Sequence, residues 1–135
     1  MPSSAAIPVV CAIIERDDRV LLAQRPAHKH LALKWEFPGG KVEPGETAEA
    51  AIVREIREEL SCDVRVVRAL PRFRHVYDRA TIEMFPFVCH LAADSRPPQA
   101  LEHAALAWVL PGELTGYDLA AADLPVVAAL LPPAP

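Results

Sequence analysis

Cysteine is scarce in this chain. Cys11, Cys62 and Cys89 are odd in number, far apart and never in C-x-x-C spacing, which argues against a disulfide framework or a zinc knuckle and favours buried free thiols. Long hydrophobic runs are also missing: the longest, such as Ile7–Ile14, ends at Glu15, well short of the roughly 20 apolar residues that cross a bilayer. Positive charge is not in excess, because 14 Lys and Arg face 18 Asp and Glu, giving a net charge of −4 and a pI near 5.7. Neither duplex nucleic acid nor a membrane surface is therefore expected as a partner. A small anionic ligand is still compatible with this charge if a metal ion bridges it. Met1–Ile7 has no basic segment ahead of its apolar stretch, so no signal peptide is read and a cytoplasmic protein is expected.

What the chain does have is enough apolar matter for one core. Its 135 residues are 52% hydrophobic and 24% charged, with a mean hydropathy of only +0.16, which excludes disorder and predicts one domain over 1–135. The prolines gather at Pro97-Pro98 and in a loose tail, 132–135. Val9–Glu15 and Val20–Gln24 read as a hairpin around Arg16-Asp17-Asp18-Arg19, with further strands at Asp63–Arg68, Thr81–Leu91 and Ala104–Val109. Thr47–Leu60 contains no Gly or Pro and starts at a capping residue, Thr47; Leu124–Leu131 reads as a second helix opened by Pro125. Strands on both sides of a helix predict a mixed α/β domain.

The first helix carries the chemistry. Glu55, Glu58 and Glu59 stand at i, i+3 and i+4, so they share a face. Like-charge neighbours of this kind destabilise an isolated helix by roughly 0.2–0.5 kcal/mol each, and Glu near a helix C-terminus also opposes the dipole. Ile52, Val53, Ile56 and Leu60 form the adjacent apolar stripe, which would hold the acidic face at the edge of the core. Clustered oxygen ligands on a rigid element suit Mg2+ or Mn2+. The plain alternative is a solvated face paired with Arg54 and Arg57.

The surroundings of the glutamates carry a resemblance. Gly40, Glu46, Arg54, Glu55, Ile56, Glu58 and Glu59 match the pattern G-x5-E-x7-R-E-U-x-E-E-x-G-U between residues 40 and 62, so the segment resembles the Nudix box. Ser61 replaces the box glycine and Cys62 its bulky aliphatic residue. The chain is most similar to the MutT-type nucleoside triphosphate pyrophosphohydrolases of the small bacterial CTP pyrophosphohydrolase and 8-oxo-dGTP diphosphatase branch. Ala12–Asp17, Leu22–Pro26 and Trp35–Glu43 carry this further likeness.

The resemblance implies a Nudix fold, a mixed curved sheet between helices. It implies Mg2+, replaceable by Mn2+, held by Glu55, Glu58 and Glu59 with the main-chain carbonyl of Gly39 or Gly40, while Glu46 and Arg54 pair to orient the helix. Glu102 is either a further ligand, a general base, or an ordinary loop residue. Asp123 either reads the base or caps the last helix. Arg25 and Arg79 either reach phosphates or base, or are exposed strand ends; Phe37 either stacks on the base or packs in the core. The implied reaction is hydrolysis of a nucleoside triphosphate to monophosphate and pyrophosphate, by a monomer or homodimer. Other diphosphate substrates (dinucleoside polyphosphates, nucleotide sugars, NADH) and a non-catalytic nucleotide-binding domain are the alternatives.

Overall fold

Strand β1 (Ile7–Arg16) determines the layers. Val10, Ala12 and Ile14 alternate along it with Cys11 and Ile13, and all five are at most 2% exposed. A strand dry on both faces needs a layer on each side. Strand β2 (Arg19–Gln24) continues the rule, sending Leu21 to the first face and Val20 and Leu22 to the second. On the first face lies helix α1 (Ala48–Leu60), burying Ala51, Ile52, Ile56 and Leu60. On the second lie helix α2 (Leu124–Leu130) and the 3-10 turns Pro111–Gly116 and Ala121–Asp123, which bury Leu114, Val126 and Val127. The resulting α/β/α sandwich is the expected architecture. These observations come from a computed structural model that describes residues 6–77 and 80–131; Arg79 and the tail 132–135 lie outside it.

The other strands are β3 (Trp35–Glu36), β4 (Gly39–Lys41), β5 (Val64–Ala69), β6 (Phe73–Val76), β7 (Thr81–Leu91) and β8 (Ala105–Val109). Among the described residues all eight form one mixed sheet. β1 runs parallel to β7 from Ile7↔Ile82 to Glu15↔His90, a pairing that needs the long crossover through α1. The opposite edge of β1 is shared: its end pairs with β2 at Glu15↔Val20, and its first half pairs with β4 at Cys11↔Gly39 and Val10↔Gly40. That split brings the glycine pair beside α1. Asp17 and Asp18, at φ 52° and 64°, make the tight β1–β2 turn. No helix among the described residues is long and apolar enough to cross a membrane.

The N-terminal signal of α1 acts as read, and the turn at its other end forms in spite of Ser61. The Thr47 Oγ1 accepts from the Ala50 N–H at 3.0 Å, an N-cap. Ser61 ends the helix at φ 54°, and its N–H donates to the Arg57 carbonyl at 3.1 Å. The left-handed conformation there favours glycine. Ser61→Gly is therefore expected to stabilise the protein by about 1 kcal/mol and raise its Tm by about 3 °C, measured by urea and thermal denaturation, with turnover unchanged. Cys62 is 2% exposed beside Leu60 and Val64, where a thiol fills a small apolar site. Cys11 and Cys89 are also buried and free, and burial pushes the Cys89 thiol up to about 12.

Candidate active site

Packing the apolar stripe of α1 on the sheet carries its acidic stripe from solvent inward. The Glu58 side chain is 59% exposed and that of Glu55 15%. Glu59 goes deeper, with an Oε1 that is buried and has no hydrogen-bond partner among the described residues. Burial raises the pKa of Glu55. It pushes Glu59 up to about 8, reinforced by the charges of Glu55, Glu36 and Glu102, with the Gly39 N–H pulling the other way. Gly40 lies against the Glu55 carboxylate, which a Cβ at that position would overlap, and a Cβ on Gly39 would overlap the Val10 carbonyl oxygen. Close approach is thus what both positions require.

Arg54 organises the outer side of this cluster. Its Nε and Nη2 donate to Glu46 at 2.7 and 3.0 Å, a bidentate pair, and Nη2 also donates to the Lys41 carbonyl at 3.1 Å. Nη1 donates to Glu55 at 3.0 Å and Glu58 at 3.2 Å. The guanidinium lowers Glu46 to about 2. Arg57 takes no part, since it pairs with Asp63 at 2.8 Å.

A cleft of about 910 Å3 opens beside these groups, and Gly39, Gly40 and Glu59 line it together with Arg25, Glu36 and Asp123. Its size falls in the range of small-molecule sites. Asp123 is 4% exposed, the only charged residue among those described that is buried as a whole. Its Oδ2 accepts from the Phe37 N–H at 3.3 Å. Burial, then the charge of Glu36, holds its carboxyl well above the ordinary range. The capping reading of Asp123 is corrected here: it stands at the N-cap position of α2 but makes no side-chain cap bond.

Two further readings change. Arg25 is not an exposed strand end, because its Nε donates to the His30 carbonyl at 2.6 Å and its Nη1 pairs with Glu36 at 3.1 Å. Phe37 is 3% exposed within the apolar cluster on the α2 face, so its ring packs and has little surface for a stacked base. Trp35 and Trp108 also pack: Trp35 meets Tyr117 edge-on at 5.3 Å, and Trp108 lies under the Arg16 guanidinium at 4.1 Å. Glu102 is exposed on the loop between β7 and β8, yet near enough to Glu59 to raise its pKa.

Glu36 was not singled out from the sequence. It joins Arg25 through Oε1 and His103 through Oε2 at 3.2 Å, and its charge acts on both Glu59 and Asp123. Its place just ahead of Pro38-Gly39-Gly40 was the available signal; its aromatic neighbours give none, because successive side chains of a strand point to opposite faces.

The donor set fits a hard divalent cation. Carboxylate oxygens and a glycine-lined approach are the chemistry such ions take, and the partnerless Oε1 of Glu59 is a buried acceptor in need of a positive partner. Among the described residues no three ligating groups close into a cage; Glu55 and Glu58 lean on Arg54. Substrate oxygens and waters would complete the shell of an ion held by so few protein groups.

Comparison with known proteins agrees. The chain matches the NUDIX domain family over residues 9–129. It is 43% identical over 125 residues, 93% of this chain and 91% of the other, to the CTP pyrophosphohydrolase of Escherichia coli strain K12. It is 41% identical over 70 residues, 52% of this chain and 60% of the other, to the 8-oxo-dGTP diphosphatase of Proteus vulgaris. The solution structure of the E. coli ORF135 protein has a TM-score of 0.81 at 42% identity, covering 96% of this chain and 93% of that one. A match running from β1 into α2, with a relative of nearly equal span and a superposable fold, shows that the chain belongs to the Nudix family, whose hydrolases generally depend on a divalent metal ion.

Proposed function

We propose that this protein hydrolyses nucleoside and deoxynucleoside triphosphates to the monophosphate and pyrophosphate, with Mg2+ as its ion and Mn2+ as a substitute. Its substrates are oxidised purine nucleotides such as 8-oxo-dGTP, or CTP and modified dCTP, so that it cleanses the nucleotide pool. The observation that carries this reading is the buried, partnerless Glu59 oxygen, set among like charges in the wall of a cleft that also contains Asp123.

Glu55, Glu58 and Glu59, with the carbonyl of Gly39 or Gly40, would hold the ion. When bound, it supplies countercharge to the triphosphate and makes water a stronger nucleophile. Arg54 keeps Glu55 and Glu58 on one side of the helix and is itself fixed by Glu46. Glu102, exposed on its loop, is free to accept a proton from the attacking water or to add a ligand. Asp123 keeps its proton further toward neutral pH than an ordinary carboxyl, so it can donate as well as accept, where an ionised carboxylate only accepts. Arg25 is placed by His30 and Glu36 at the cleft wall, within the part that would meet the base or its sugar.

The test is a panel of ordinary, oxidised and methylated nucleotides, assayed with Mg2+ and scored for pyrophosphate against phosphate release. Pyrophosphate with one preferred base supports the reading; phosphate alone, or no turnover of any triphosphate, refutes it. Asp123→Ala is expected to change the preference between bases by about tenfold or more while hydrolysis of a poor substrate changes less. Equal losses on every nucleotide would remove Asp123 from base reading.

A further inference from the structure

We propose that His103 is a positioning residue that fastens the Glu102 loop to Glu36 and so sets where the Glu102 carboxylate stands. The inference rests on the reading that Glu102 takes part in turnover. The loop is tied by main-chain bonds on either side of Glu102: the Gln99 N–H donates to the Leu60 carbonyl at the end of α1 at 2.8 Å, and the Ala104 N–H donates to the Gln24 carbonyl at the end of β2 at 2.9 Å. Between these ties Leu101 is 56% exposed and Glu102 is exposed. His103 is the exception, with a side chain only 5% exposed and its Nε2 3.2 Å from the Glu36 Oε2.

The bond to Glu36 requires the proton on Nε2. Nδ1 is then a bare lone pair, and it is buried without a partner among the described residues. Leaving either ring nitrogen unpaired has a cost, and only this tautomer keeps a donor on the nitrogen that faces Glu36. Glu36 is a firm anchor, because Arg25 holds its other oxygen at 3.1 Å and is itself held by the His30 carbonyl at 2.6 Å. One imidazole thus joins the loop to a strand 67 residues away in sequence. Displacing a reacting group by about 1 Å lowers turnover by roughly a hundredfold, so an anchor next to Glu102 has leverage that packing alone lacks.

The experiment uses His103→Phe, which keeps a buried ring and loses the donor, and His103→Gln, which keeps an N–H. At saturating Mg2+ and nucleotide, H103F is expected to lower kcat by about 10- to 100-fold with KM within about threefold, and H103Q to stay within about fivefold of wild type. Adding H103F to Glu102→Gln should cost nothing further, since the group being positioned is already lost. Hydrogen exchange on the metal-free protein provides a readout apart from activity: the amides of residues 101–104 should exchange about tenfold faster in H103F and not in H103Q.

The inference is overturned if H103F turns over at the wild-type rate, if its loss multiplies with that of Glu102→Gln, or if the loop amides are unaffected. Should H103F fail to fold, H103Q decides: retained turnover with unchanged exchange supports the anchor, and a loss as deep as that of Glu102→Gln refutes it. A wild-type rate for Glu102→Gln would sink the role of Glu102 and that of His103 together; a slow Glu102→Gln with multiplicative H103F effects sinks His103 alone.

Discussion

Glu59→Gln is expected to lower Mg2+-dependent turnover by about a thousandfold while making the metal-free protein more stable at pH 8. The two effects have one origin. The side chain is nearly isosteric, so packing against the sheet is kept, but the buried anion is replaced by a neutral amide. The anion is what a divalent ion needs, and losing even one preorganised group that stabilises charge at a reacting centre lowers kcat by about 10²–10³. That same anion is what the fold tolerates badly, being buried and surrounded by the charges of Glu55, Glu36 and Glu102. Steady-state kinetics with Mg2+ and urea denaturation in EDTA measure both. A residual rate within tenfold of wild type would remove Glu59 from the metal site. Loss of stability together with loss of rate would mean that the residue serves the fold.

The carboxylate trio and the strands flanking it were legible because they depend on local pattern: i, i+3, i+4 on a helix, and for β1 an unbroken apolar run ending at a turn, as a strand buried on both faces requires. Geometry across elements was not. Nothing in the spacing of Glu55, Glu58 and Glu59 reveals that the first is largely buried, the second exposed and the third deepest; the rotation of α1 against the sheet decides it. β3 and β4, of two and three residues, are too short for any period, and they place Glu36 and the glycine pair. Glu36 and His103 meet only because β3 and the Glu102 loop both approach the end of β2. Asp123 before Leu124-Pro125 looks like a cap in sequence. The 3-10 turn that ends on it sets its backbone at φ −94°, ψ −9°, outside the extended region a capping side chain uses, and the carboxyl turns to the Phe37 N–H.

Without divalent metal, the protein is expected to be most stable near pH 5 and to lose about 2–4 kcal/mol between pH 5 and pH 8. The direction follows from which state binds more protons. Glu59 has a folded pKa of about 8 against an ordinary 4.5. Between those values the native protein holds a proton that the unfolded chain has released, so stability falls as pH rises through that window. Below 4.5 both states are protonated and the penalty vanishes. Each unit of displacement is worth about 1.4 kcal/mol, and the side chain relaxing toward the cleft removes part of the full amount. Glu55 and Asp123, also raised, act in the same direction. Glu46 acts in the opposite sense lower on the scale: lowered to about 2 by Arg54, it supplies stability that is present above 4.5 and lost as pH falls toward 2. A divalent ion that binds only the native state adds stability by mass action, and competition with the Glu59 proton makes that gain larger at pH 8 than at pH 5. Urea denaturation at the two pH values, with EDTA and with saturating Mg2+, is the measurement. Glu59→Gln should flatten the metal-free profile and shrink the Mg2+ increment together. If the mutant keeps the wild-type slope, the buried charge lies elsewhere in the cleft, and Asp123 is the next group to replace.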